Sequence, residues 1–286
     1  MQIGAVLSQG EVGTDVGALR EYAQAVEELG YDFLVVSDHV VGSVKEAHPE
    51  LERVYPIDSY LHESMSILAF LAGVAATLGF LTSVVILPQR QTVLAAKQAA
   101  EIDVLSGGKF RFGVGIGWNP VEYEALGMDF RNRARRYEEQ IKVMRRLWTE
   151  RTVTFEGRYH TLTAAGINPR PVQQPVPIWI GASAEAAVQR ATRIADGYLP
   201  LSPLEGGWDA TMDRVSKWLE EAGRERSSFG VEGRLNAGTG TPEEWQRTVE
   251  MWRRFGASHL SVGTGGVGGV DAHIARLKQA KQLIHG

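Results

Sequence analysis

Few polar side chains in this chain stand where chemistry needs them, and Asp38-His39 is the first such pair. It follows an apolar, β-branched run, so both side chains leave the end of a strand together. A histidine there can donate a proton or stabilise developing negative charge near neutral pH. The same two residues equally suit an aspartate that caps the next turn, with the histidine as its hydrogen-bond partner. Three alternate glycines, Gly113, Gly115 and Gly117, leave a second strand end bare on one face. A flat ring or close-packed backbone can fill such a gap. Gly181-Ala182-Ser183 joins a strand to a helix. Free N–H groups and a hydroxyl at that helix start form an anion site suited to a phosphate, unless Ser183 is only the N-cap. Gly263-Thr264-Gly265-Gly266-Val267-Gly268-Gly269 offers a rival phosphate or coenzyme-tail site, or merely a mobile loop.

Other chemistries drop out. In Gly113-Val114-Gly115-Ile116-Gly117 the third glycine falls one position early for a dinucleotide fingerprint, which would need it at Trp118. There is no P-loop, no Gly-x-Ser-x-Gly elbow and no His-x-x-x-His pair. The absence of cysteine removes disulfides, thiolate catalysis and Cys-ligated metals, and the seven histidines are scattered, so no metal site is expected. A net charge of −4 gives no reason to expect nucleic acid or an anionic membrane as partner. The start, Met1-Gln2-Ile3-Gly4, lacks the basic and apolar regions of a signal peptide, which points to a cytoplasmic protein. Residues 64–89 carry no charge and are long enough to span a bilayer. Gly79, Thr82 and Ser83 interrupt them and the second half is β-branched, so a buried helix running into a buried strand is the better reading.

The elements that must position these residues alternate along the chain. Short β-rich runs fall at 3–7, 33–36, 79–86, 110–115, 177–180, 197–201, 230–235 and 259–262. Stretches of helical period separate them, such as Val16, Leu19, Ala23, Val26 and Leu29, or Tyr137, Ile141, Met144 and Trp148. Eight strands and eight helices in strict alternation predict an α/β fold, a TIM barrel of one domain over 1–286, rather than a doubly wound sheet. Long connections at 37–62 and 116–132 follow strand ends and form substrate-facing walls. A hairpin turning at Glu156-Gly157 lies in an insertion at 151–176, expected on the opposite face for packing or dimer contact.

Taken together, the motifs resemble the luciferase-like superfamily of flavin- and deazaflavin-dependent barrel enzymes, most closely the branch that uses coenzyme F420. The match runs through Ser37-Asp38-His39, the segments 81–88 and 96–103, Leu105-Ser106-Gly107-Gly108-Lys109 and Gly113 to Trp118. It continues through Arg136-Tyr137-Glu138-Glu139, Ile178 to Ser183 and Ala195-Asp196-Gly197. The resemblance implies a bulged third strand with a cis Ser83–Val84 peptide behind the flavin ring. It also implies that Asp38 meets the ring edge, that Ile86, Ile116 and Gly117 line the ring by backbone, and that Gly181, Ala182 and Ser183 hold the phosphate. His39 would face the reactive carbon and assist hydride transfer. Relatives that oxidise sugar phosphates place a glutamate at the position of Trp118, so here an aromatic wall, with Tyr55 and Tyr60, replaces that second acid/base.

The implied activity is hydride transfer between F420 and a small organic substrate, reducing an activated C=C or C=O bond. The alternatives are an FMN-dependent monooxygenase supplied with reduced FMN, or a flavin-binding barrel without turnover. Relatives form homodimers, and the acidic tail of F420 calls for a local basic patch.

Overall fold

The computed structural model describes residues 1–52 and 54–285. The strands are β1 (Gln2–Val6), β2 (Phe33–Val36), β3 (Gly79–Thr82), β4 (Val85–Ile86), β5 (Phe110–Gly115), β6 (Val153–Glu156), β7 (Thr161–Ala165), β8 (Ile178–Ala182), β9 (Gly197–Pro200), β10 (Gly230–Asn236) and β11 (His259–Gly263). The helices are α1 (Gln9–Val12), α2 (Val16–Glu28), α3 (Ser64–Ala72), α4 (Thr92–Leu105), α5 (Pro120–Ala125), α6 (Arg133–Thr149), α7 (Glu185–Ile194), α8 (Gly207–Glu221), α9 (Pro242–Arg254) and α10 (Val270–His285).

β3 and β4 are two halves of one interrupted stave. Among the described residues eight parallel staves therefore follow the order β3/β4-β2-β1-β11-β10-β9-β8-β5, and β3 pairs again with β5 to close the barrel. The eightfold alternation in the sequence is this closure. β2 shows why the strands read as unbroken apolar runs: Phe33 and Val35 point into the barrel, while Leu34 and Val36 face the helices. Residues 64–89 divide into α3, β3 and β4, and among the described residues no helix is long and apolar enough to cross a membrane.

The hairpin β6–β7 forms as expected but not on the far face. Its turn climbs the outer wall between α4 and α6. The Glu139 carboxylate accepts from the N–H groups of Arg158 and Tyr159 and from His160 Nδ1, at 2.9, 2.8 and 2.7 Å. His160 Nε2 then lies 2.6 Å from the Thr92 hydroxyl, at the start of α4. An acidic side chain on α6 thus draws the turn upward, which no local pattern in 151–176 announces.

Inside the barrel, Arg111 pairs with Glu232 at 2.7 Å and lies over the rings of Phe33 and Trp179, 4.3 and 4.6 Å from their centroids. Trp179 fills space that Gly197 and Gly230 leave open. His259 meets both rings edge-on, and burial together with the nearby Arg111 charge pushes its pKa down to about 3. An imidazole that stays neutral in the fold but takes a proton near pH 6.5 when unfolded makes unfolding proton-consuming below that pH. Stability should fall as pH drops from 6.5 towards 3. Urea denaturation at pH 7 and pH 4.5 should show wild type losing about 2–3 kcal/mol more than His259→Gln. Parallel pH dependences would exclude this role for His259.

Candidate functional site

The mouth of the barrel is shaped by the interruption of its third stave. β3 ends at Thr82, the Ser83–Val84 peptide is cis, and the stave resumes as β4, pairing Val85 with Val114 and Ile86 with Gly115 of β5. The break turns Val84 into the mouth, and its neighbours have no side chains to oppose it. A Cβ at Gly115 would lie 2.9 Å from Val84 Cγ2, and one at Gly181 would lie 2.6 Å from Val84 Cγ1. At Gly113 it would meet the carbonyl oxygen of Thr82 at 1.8 Å, and at Gly117, whose φ is +66°, Ile86 Cγ2 at 2.6 Å. The alternate glycines thus accommodate the bulged stave; the gap they leave is filled by the protein itself.

Asp38 leaves β2 beneath this bulge and is buried. Its Oδ1 accepts from the Ser64 hydroxyl at 2.8 Å and from Arg90 Nη2 at 2.7 Å. Its Oδ2 receives only a 3.4 Å contact from the N–H of Ile86. Burial disfavours the Arg90 charge, but Asp38 and Glu63 outweigh it and raise the guanidinium pKa. Of the two backbone segments expected to line a ring, Ile86 touches Asp38, and the Ile116 carbonyl is taken by the Tyr123 hydroxyl at 2.6 Å.

His39 is half-buried beside a residue that the motifs do not mark. Glu122, in the first turn of α5, places Oε2 3.0 Å from His39 Nδ1 and Oε1 2.9 Å from the N–H of Val40. α5 starts where it does because Asn119 caps it through the N–H of Val121 and Pro120 occupies its first position. Burial pushes the Glu122 carboxyl up, but the bonds from His39, Val40 and Val41 more than offset it and hold the pKa below the ordinary range. An ionised carboxylate can only accept, so Nδ1 carries the proton and Nε2 is the nitrogen without it. Tyr55 stacks on the imidazole at 3.9 Å and 18°, and Trp118 meets it edge-on at 6.2 Å. Tyr60 lies elsewhere, against His62. The only cue to Glu122 in the sequence was a carboxylate in a helix start within a mouth-facing loop.

The two phosphate candidates separate. Ser183 is exposed and is not the N-cap of α7; that position belongs to Ala184, with no side-chain cap. Within this first turn the N–H of Ala187 donates to the Ala184 carbonyl at 2.9 Å, whereas the first two helical N–H groups, of Glu185 and Ala186, precede any intrahelical acceptor. The rival Gly263–Gly269 loop is already gripped: Glu11 accepts from the N–H groups of Gly266 and Gly268 at 2.7 and 2.9 Å. Its anion-binding groups hold the protein's own carboxylate. A cavity of about 250 Å³ opens at the centre of the mouth, between Ser37, Ser83, Arg234, Asn236 and Ser261. Among the described residues no cluster of His, Asp and Glu could hold a metal ion.

The chain is thus a closed (β/α)8 barrel with a bulged third stave and a histidine–carboxylate pair at its mouth. The family model described as luciferase-like monooxygenase matches residues 1–283, and the chain belongs to that family. It is 32% identical over 222 residues to an uncharacterized protein of Mycobacterium tuberculosis, covering 76% of each chain. It is 29% identical to the F420-dependent glucose-6-phosphate dehydrogenase of Kineococcus radiotolerans, over 84% of this chain and 64% of that one. It is 31% identical to the FMNH2-dependent dimethylsulfone monooxygenase of Pseudomonas putida, over 74% of this chain and 56% of that one. The solved structure of monooxygenase RslO1 from Streptomyces bottropensis shares the fold, with a TM-score of 0.78 at 17% identity over 100% and 99% of the two chains.

If Val84 is what the glycines accommodate, Gly181→Ala should lower stability by about 1–3 kcal/mol. Val84→Ala in the same chain should return part of that loss. Additive losses in a thermal double-mutant cycle would show that the two positions do not share this space.

Proposed function

We propose that the protein is an oxidoreductase that moves a hydride between F420 and a small organic substrate, reducing an activated C=C or C=O bond. The His39–Glu122 pair carries this reading. It is a half-buried histidine held in one tautomer by a buried carboxylate, which leaves its second ring nitrogen unprotonated. The cavity of about 250 Å³ at the mouth would take part of the ring, and the start of α7, which has no side-chain cap, would take a phosphate. Asp38, Ile86, Ile116, Gly117 and the Ser83–Val84 bulge would surround the ring, and Gly181, Ala182 and Ser183 would lead to its phosphate.

The acidic tail of F420 would meet a group of arginines. Arg133, Arg135 and Arg136 open α6 and Arg131 lies just before it, on the catalytic side, and among the described residues the buried Nε atoms of Arg133 and Arg136 have no hydrogen-bond partner. Bound deazaflavin supplies the hydride chemistry. His39 Nε2 exchanges the accompanying proton or steadies the charge that develops, and Glu122 stabilises the imidazolium when it forms. Trp118 and Tyr55 keep water from this side. The same reading carries a homodimer, for which Val93, Leu94 and Leu105 of α4 offer exposed apolar side chains.

Parallel fluorescence titrations with F420 and FMN test the coenzyme. Tight binding of F420 with FMN at least tenfold weaker is expected; preference for FMN would favour the monooxygenase, and binding of neither would remove both enzymatic readings. For the pair itself, nitrogen-15 NMR should show the His39 Nδ1–H tautomer in wild type and a mixture in Glu122→Ala. Glu122→Gln should keep coenzyme affinity and lower turnover about 10²-fold. An unchanged tautomer and rate in both variants would reduce Glu122 to a packing residue.

A further inference from the structure

Two charged residues of β10, Glu232 and Arg234, are spaced to point the same way, into the barrel. Glu232 is neutralised by Arg111 at 2.7 Å, and that pair is closed over by Phe33 and Trp179. Arg234 sits one layer nearer the mouth, where its strand register pairs it with Ser261. Among the described residues no carboxylate comes within ion-pair distance of it, and its hydrogen bond is from Nη2 to the Ser83 hydroxyl at 2.9 Å. Water reaches the guanidinium through the mouth, yet desolvation by the surrounding walls still pulls its pKa down despite the pull of Glu232 and Tyr198. The cavity in front of it carries the hydroxyls of Ser37 and Ser261 and the amide of Asn236, with Val35 and Leu235 as apolar wall.

A guanidinium presents five N–H donors in a planar fork, of which Ser83 takes one. Of the side chains lining the cavity, the Ser261 hydroxyl leans to the Gly233 carbonyl at 3.4 Å and the Asn236 amide donates to Thr239 at 3.1 Å, which leaves the hydroxyls of Ser37 and Ser83 to join the fork, and none of the four brings negative charge. A fork of this kind, partly desolvated and lacking a counter-ion, matches a planar carboxylate, which accepts two parallel bonds and supplies the missing charge. We propose that this cavity binds the carboxylate of the substrate against Arg234, so that the substrate class is a small organic acid. The acid's part in a reaction rests on the hydride-transfer reading above; its binding does not. The other source of electron-rich oxygen is the carbonyl edge of the coenzyme ring, and the test separates the two.

Isothermal titration of the coenzyme-free protein with benzoate and with benzamide compares equal shapes of different charge. Benzoate should bind wild type at least tenfold more tightly than Arg234→Gln, whereas benzamide should bind both weakly and alike. Benzoate binding no better than benzamide, or binding equally to both proteins, overturns the proposal. Should Arg234→Gln fail to fold by circular dichroism, Arg234→Lys serves instead. It keeps the charge and loses the fork, and benzoate affinity should fall at least threefold; an unchanged affinity overturns the assignment. F420 and FMN titrations of the same variants supply the second arm. Unchanged coenzyme affinity with lost benzoate binding supports the substrate site, and lost coenzyme affinity with unchanged benzoate binding assigns Arg234 to the ring and overturns it. Wild type that binds benzoate but neither coenzyme would overturn the hydride-transfer reading and leave the acid site standing.

Discussion

Space inside the barrel mouth is the constraint on which the site depends. An eight-stranded barrel is just wide enough for its own side chains to fill. Turning Val84 inward at the Ser83–Val84 break therefore requires that the facing positions, Gly115 and Gly181, contribute no side chain. The break also moves backbone. Where the stave resumes, the N–H of Ile86 faces Asp38, and the turn after it delivers Arg90 onto the same carboxylate. Gln140 of α6 then fastens that turn by donating to the carbonyls of Leu87 and Arg90. The glycines, the bulge and the Asp38–Arg90 pair are consequently one assembly, and none of them can change alone without displacing the others.

Charge in the barrel interior is ordered by layer along the strands. The register pairs Glu232 with His259 in one layer and Arg234 with Ser261 in the next two residues up. The lower layer neutralises itself: Arg111 answers Glu232, and His259 is kept uncharged by burial and by the same arginine. Such a pair contributes less to stability than its Coulomb attraction suggests, because both ions lose water. Its effect is to fix which polar groups are spent. The upper layer keeps Arg234, for which no carboxylate among the described residues lies within ion-pair distance.

Much of this was legible in the sequence because it is periodic or steric. Apolar runs alternating with helical stripes could only be an eightfold βα pattern, and regularly spaced glycines could only mark bare strand faces. What fills those faces was not legible, since Val84 lies some thirty residues away from Gly115. The same holds for each long-range partner. Glu11 meets the Gly-rich loop from the opposite end of the chain, Glu139 lifts the hairpin turn, and Glu122 reaches His39 from a loop whose course no local signal fixes. The cap reading of Ser183 fails for a different reason. A serine before a helix predicts a cap, but β8 ends at Ala182 and the chain turns one residue later, so Ala184 takes the cap position.

The position of Glu122 limits the proton chemistry available here. Trp118 cannot exchange a proton, and both oxygens of Glu122 are committed, one to His39 and the other to the N–H groups of Val40 and Val41. Its carboxylate is buried behind the imidazole and held ionised, so it meets a substrate only through His39. Under the hydride-transfer reading His39 is thus the proton-exchanging group and Glu122 its electrostatic support, whereas two opposed acid/bases would be needed to take a proton from one atom and return one to another. That arrangement suits reactions in which a single proton accompanies the transferred hydride. Trp118, edge-on to the imidazole, and Glu122 behind it then hold the ring of the histidine between them.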